Sequence, residues 1–156
     1  STQPNTLFPY TTLFRSPTGA IDAIRAALTT PDTLGGAFDM AIRADGWRWT
    51  LLARAASLRA RITRVPYGDQ AIFVRRTVFE RLGGFPEIPA FEDVAFSRAL
   101  KRNGRTVQIR RPVTSSARRW QREGIAFTVL RNWLVSLLFV AGVPAERLMR
   151  WYPKVR

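Results

Sequence analysis

The sequence contains no cysteine and no histidine. The first absence excludes disulfides and thiolate metal sites. The second removes histidine triads, zinc sites of the usual kind and imidazole acid–base chemistry. Any catalysis must therefore rest on carboxylates, hydroxyls, arginine or a metal held by oxygen ligands. Lysine is nearly missing too: Lys101 and Lys154 are the only two among 25 basic residues. Against 11 acidic residues the formal net charge is +14, almost all of it guanidinium. Arginine suits bidentate contact with phosphate or carboxylate, so phosphorylated ligands, nucleic acid and anionic membrane are the natural partner classes. A plainer reading gives part of that excess to solvated helix faces in the product of a GC-rich genome.

What is present is a chain of 156 residues, 46% hydrophobic, enough for one domain with a core. No tract is polar enough to be disordered on composition, and no internal repeat is visible. Residues 1–16 stand apart. Thr6-Leu7-Phe8-Pro9-Tyr10-Thr11-Thr12-Leu13-Phe14-Arg15-Ser16 reads as the translation of a common sequencing adapter, and a back-translation reproduces such an adapter without a mismatch. It is no signal peptide, because the apolar run is short, broken by Pro9 and without a basic start. On this reading residues 1–16 are not native, and native coding sequence continues upstream of Pro17.

From Pro17 the periodicities predict a helix over 19–28, capped by Thr18, with Ile21, Ile24, Ala27 and Leu28 inward. A strand over 33–42 follows, its Gly35-Gly36 pair marking a bulge or a close backbone approach to a ligand. Residues 47–62 read as an amphipathic helix with Leu51, Ala55, Leu58 and Ile62 inward and Arg54, Arg59 and Arg61 on a solvated face. The run 71–74, bounded by turn residues, has the pattern of a fully buried strand. A short helix over 75–82 ends at Gly83. Val107 and Ile109 alternate with polar residues as in a half-buried strand, and 112–116 is a second extended piece. Residues 117–120 fall in a loop or at a helix start. The tail carries a helix over 125–140, too short at its apolar part for a membrane span, and a second over 146–152. Apolar bulk beside Arg and Trp describes either an interfacial segment on an anionic bilayer or a cover for the sheet.

The chain is organised around residues 83–100. Gly83-Gly84 ends one element, and a loop stiffened by Pro86 and Pro89 delivers Glu92 and Asp93 to the first turn of a new helix. Phe91, Val94, Ala95, Ala99 and Leu100 share one face of it. Two carboxylates at a helix start favour the positive end of the macrodipole. They also suit a positioned general base.

At Tyr67-Gly68-Asp69-Gln70, at Gly84-Phe85-Pro86 with Phe91-Glu92-Asp93, and at Ser115-Ser116-Ala117-Arg118-Arg119-Trp120, the chain resembles glycosyltransferase family 2. More narrowly it is similar to a small bacterial subgroup with G-D-Q, G-G-F-P, E-D and R-R-W signatures in this order. The resemblance runs from about Pro17 to Tyr152. It departs at Ala90-Phe91, where relatives carry a Leu-Met-type pair, and at Ser115-Ser116, where Thr-Ser is usual.

The resemblance implies an α/β class and a partial GT-A fold: the acceptor-binding half with a mixed sheet over 17–122, then amphipathic helices over 123–156. It implies sugar transfer from a nucleotide-sugar, with inversion, to an acceptor hydroxyl that can be lipid-linked, on the cytoplasmic side and peripheral to the inner membrane face. Asp93 is then the general base, with Glu92 as neighbour or alternative base. Gly68, Asp69 and Gln70 contact substrate, and Arg118, Arg119 and Trp120 meet the donor pyrophosphate. Family enzymes hold a divalent metal, Mg or Mn, through a D-x-D motif. Residues 17–156 contain none, Asp39 and Asp45 being too far apart, so this fragment is expected to lack the donor and metal half, to hold no metal and to be inactive alone. The +14 charge and five tryptophans also suit a basic module for nucleic acid or anionic membrane. Its arginines are spread through every element, without a nucleic-acid motif.

Overall fold

The computed structural model describes residues 14–151, with the side chains of Phe14, Arg119 and Trp151 left aside. Residues 1–13 of the adapter-like leader, and Tyr152 and Lys154 of the tail, lie outside the described residues. The fold is mixed α/β. Its strands are β1 (Phe14–Arg15), β2 (Thr33–Arg43), β3 (Phe73–Val74) and β4 (Arg105–Ser116), in sheet order β1-β4-β2-β3. β2 and β4 run parallel, while β1 on β4 and β3 on β2 are antiparallel.

β2 is an inner strand, buried along most of its length, and its residues 34–38 are all small or apolar. The two extended pieces expected at 106–110 and 112–116 are one strand, joined across a register shift opposite Phe38/Asp39. The glycine pair does mark a register irregularity, between Thr33 and Gly35. The close approach there is to neighbouring strands: a Cβ on Gly36 would lie 2.0 Å from the Val107 carbonyl oxygen. The run 71–74 contributes only two paired residues at the sheet edge, with Phe73 buried and Ile72 and Val74 half-buried.

The helices are α1 (Ala20–Ala27), α2 (Trp47–Thr63), α3 (Arg76–Arg81), α4 (Glu92–Asn103), α5 (Arg118–Glu123), α6 (Ile125–Val140) and α7 (Ala145–Leu148). α1 covers one face of the sheet, packing Ala20, Ala23, Ile24 and Ala27 on Phe38, Phe73 and Val113. Its N-cap is Gly19 with no side-chain cap, not Thr18, and Ile21 points outward at 61% exposure.

α2 lies on the other face, because Asp39, the residue after Phe38, pairs with Arg61 of α2. This helix overturns the expected face. Its buried residues are Ala53, Ser57 and Ala60, whereas Leu51, Leu58 and Ile62 are exposed. Small residues let the helix backbone approach β2 closely enough for Ser57 Oγ to accept from the Met40 amide at 2.9 Å. The bulky stripe is left outward.

α4 is seated by a second core cluster of Val78, Phe96 and Leu100, with Leu34, Ile72, Phe79 and Leu82 around it. Phe85 of the proline loop adds its ring 4.7 Å from Phe96 and 5.7 Å from Phe79. Gly84 makes this corner possible: its φ of 74° is in the left-handed region, and a Cβ there would press on the Phe79 ring at 3.3 Å.

Candidate functional site

Pro66, Tyr67 and a single 3₁₀ turn, Gly68–Gln70, form the first half of the site. The turn is fixed from within. Gln70 is buried at 1% exposure. Its Oε1 accepts from the Tyr67 amide at 3.2 Å and from Arg59 Nη2 at 3.3 Å, and its Nε2 donates to the Phe38 carbonyl at 3.4 Å. Gln70 thus ties the turn to β2 and to α2, and reaches the site through the turn it locks. Arg59 also donates to the Val65 carbonyl at 2.9 Å, and its guanidinium lies 3.6 Å from the centre of the Tyr67 ring. Burial lowers the Arg59 pKa from its ordinary value, opposed by Tyr67, Asp69 and Asp93. Arg59 was expected on a solvated face; it is a half-buried strut of the site.

The second half is the start of α4. Asp93 Oδ2 accepts from the Gly68 amide at 2.6 Å, and Oδ1 accepts from the Val94 amide at 2.7 Å. A Cβ on Gly68 would sit 3.3 Å from the same Oδ2, so glycine allows the approach. One turn further on, Ser97 Oγ donates to the Pro66 carbonyl at 3.0 Å, a second clamp between the turn and α4. The G-D-Q and E-D segments, 25 residues apart at their hydrogen-bonded pair, meet in one polar node. Glu92 is exposed beside it and Asp69 half-buried in the turn.

Backbone strain gathers at the same place. Three described non-glycine residues have positive φ: Arg64 at 56°, Ala71 at 49° and Phe91 at 64°. Each costs on the order of 1–3 kcal/mol and persists only where the surroundings over-determine it. Arg64 ends α2 just before the turn, Ala71 ends the turn, and Phe91 is the N-cap of α4. Phe91 is held by its ring, stacked on Phe139 of α6 at 5.2 Å. Tyr67 reaches the same helix, its hydroxyl donating to Ser136 Oγ at 3.0 Å.

Arg118, Arg119 and Trp120 are helical, opening α5 after β4, which settles the expected loop-or-helix alternative. Arg118 is exposed and Trp120 half-buried. The Arg118 amide donates to Ser116 Oγ at 3.3 Å, and the described hydrogen bonds do not carry Arg118 or Trp120 into the Asp93 node.

No group of three or more carboxylates converges among the described residues. Asp39, the one buried carboxylate among them, is engaged by Arg61, and both Asp93 oxygens already accept amides. Asp93 nevertheless keeps free lone pairs, since an ionised carboxylate offers about four acceptor positions. What the node can do is hold a carboxylate in one orientation at the surface and accept a proton there.

Compared with known proteins, the chain matches no family model, no curated protein and no solved structure.

The residues that motif reading missed as site members are Arg59, Tyr67 and Ser97. The available signal for Arg59 was its register, between Ser57 and Ala60 on the small-residue face of α2.

Proposed function

We propose that this chain supplies the acceptor side of an inverting glycosyltransferase, built on part of a GT-A-type fold, with Asp93 as general base. The observation that carries the reading is the 2.6 Å hydrogen bond from the Gly68 amide to Asp93, joining two separately noted motifs at a strained pair of turns. In the step envisaged, an acceptor hydroxyl gives its proton to an Asp93 carboxylate oxygen while its own oxygen attacks the anomeric carbon. The bond from that carbon to the nucleoside diphosphate breaks, and the electron pair leaves with the diphosphate. A positioned carboxylate contributes about 10²–10⁴-fold to such a step. Arg59 holds positive charge beside the node and stays protonated despite its burial. Glu92, exposed one residue earlier, is the neighbouring acceptor contact, and Asp69 and Gly68 face substrate from the turn. Arg118, Arg119 and Trp120 are assigned to the donor diphosphate, where guanidinium groups offset charge on the departing group.

The test is transfer from a panel of nucleotide-sugars by the genomic coding sequence that contains residues 17–151. Asp93→Asn should cut turnover by about 10²–10⁴-fold while nucleotide-sugar binding persists. Near-normal turnover in that variant sinks the base assignment. Retained turnover in Asp93→Asn with loss in Glu92→Gln would move the role one residue back.

A further inference from the structure

α6 buries only Thr128 and Val135. Its Leu130, Trp133, Leu134, Leu137 and Val140 stay exposed, Leu130 at 71% and Leu137 at 66%. These five side chains are not scattered. They form one wall of a groove of about 710 Å³, whose other walls come from the C-terminal end of α2 and one face of α4. A contiguous apolar patch of this kind marks an interaction site. The opposite wall is basic. Arg98, Lys101 and Arg102 of α4 line it, Arg59 adds a fourth cation, and no carboxylate lines the groove.

These cations are placed but not neutralised. Arg98 Nη1 donates to the Val140 carbonyl at 3.3 Å, and Lys101 Nζ donates to the Thr63 carbonyl at 2.7 Å. Both carbonyls lie at helix C-termini, where a cation is favoured. Each contact uses one donor of a group that has several. None of the described ion pairs involves Arg98, Lys101 or Arg102.

We propose that this groove seats one molecule of an anionic amphiphile: an alkyl or prenyl chain along α6, with a phosphate head against Arg98, Lys101 and Arg102. The charge pattern selects the class. A nucleotide would leave the five apolar side chains wet, and a neutral lipid or an apolar peptide would leave the cations without a partner. The volume lies within the roughly 300–1,000 Å³ of pockets that enclose a single small ligand. Arginine supplies the bidentate geometry that phosphate takes. The inference rests on the groove alone and stands whether or not Asp93 is a base. Tyr67 and Val94 line the groove and adjoin Gly68 and Asp93, so the groove and the node share a border.

The experiment is calorimetric titration of the full chain with dodecyl phosphate below its critical micelle concentration. Dodecyl maltoside serves as the uncharged chain and inorganic phosphate as the head alone. The expected result is saturable binding of one dodecyl phosphate, at least about tenfold tighter than either control. Leu137→Glu and Arg102→Glu should each weaken it by about tenfold or more, with circular dichroism and melting unchanged, since both side chains are exposed. Equal affinity for the maltoside or for free phosphate overturns the proposal. So does binding confined to phosphatidylglycerol vesicles with none to the monomer, which would make α6 a membrane-surface element. Self-association abolished by Leu137→Glu, without ligand binding, overturns it in favour of a second copy of the chain.

Discussion

The Asp93 node and the α6 groove share Arg59, Tyr67 and Val94, yet they are built on opposite terms. At the node the groups that fix its geometry bond to other parts of the chain: Gln70 to three partners, Asp93 to two amides, Ser97 to Pro66. Along the groove the apolar side chains are exposed and the cations have no carboxylate partner among the described ion pairs. Strain follows the same division. Arg64, Ala71 and Phe91 flank the segments that make the node, and α6 has no positive φ. The node is held by bonds within the fold; the groove leaves apolar surface and cations that another molecule would cover. Mutations should therefore cost stability at the node and spare it at the groove.

The largest effect is expected at Phe96, which is 1% exposed and seats α4 under the node. Phe96→Ala removes a buried ring from the contact with Phe79 and Phe85 and should destabilise by about 3–5 kcal/mol, read as the shift in urea unfolding. Loss below about 1 kcal/mol would mean that α4 is held by its polar clamps rather than by the core. Gln70→Ala comes next. It strands the Tyr67 amide and an Arg59 donor and leaves a small void, at a cost of about 1–3 kcal/mol. Gln70→Glu keeps the acceptor for Tyr67 and Arg59 but sets an oxygen against the Phe38 carbonyl, and should recover only part of the loss; full recovery would show that the Nε2 bond to Phe38 contributes little.

How much of this was legible beforehand divides along the same line. α6 runs from Ile125 to Val140, the span expected, because Gly124 and the Gly142–Pro144 pair punctuate it and its second half, from Trp133, is almost wholly apolar. The start of α4 at Glu92 was legible for a similar reason, the proline loop forcing a fresh helix. The inward face of α2 was not. Bulk hydrophobicity pointed to Leu51, Leu58 and Ile62, but close packing on β2 selects residue size, and Ala53, Ser57 and Ala60 win. Arg59 was missed by the same error, since its role depends on which face turns inward. The pairing of Gly68 with Asp93 is a contact across 25 residues, which no local periodicity encodes.

A smaller gain is expected at Arg64. Its φ of 56° places an exposed arginine in the left-handed conformation that ends α2, its amide donating to the Ala60 carbonyl at 2.8 Å. Glycine adopts that conformation without the Cβ penalty and is the usual residue at this position after a helix. Arg64→Gly should stabilise by about 0.5–1 kcal/mol, seen as a rise in the urea midpoint at constant m-value. A loss instead would mean that the Arg64 side chain makes a contribution larger than the strain it imposes.

Leu137→Ser carries the smallest expected change and isolates the groove from the core most cleanly. Leu137 lies on α6 with 66% of its surface exposed, so truncating it withdraws little from the folded interior. Serine is also only a modestly poorer helix former than leucine. Unfolding free energy should stay within about 0.5 kcal/mol of the parent, while dodecyl phosphate binding weakens. A loss above about 1 kcal/mol would show that this wall is covered in solution by the chain itself or by a second copy. Repeating the measurement across a range of protein concentrations separates these two, because only the second makes the loss concentration-dependent. An unchanged stability at all concentrations, with weakened binding, is the pattern of a surface that folding leaves open for a ligand.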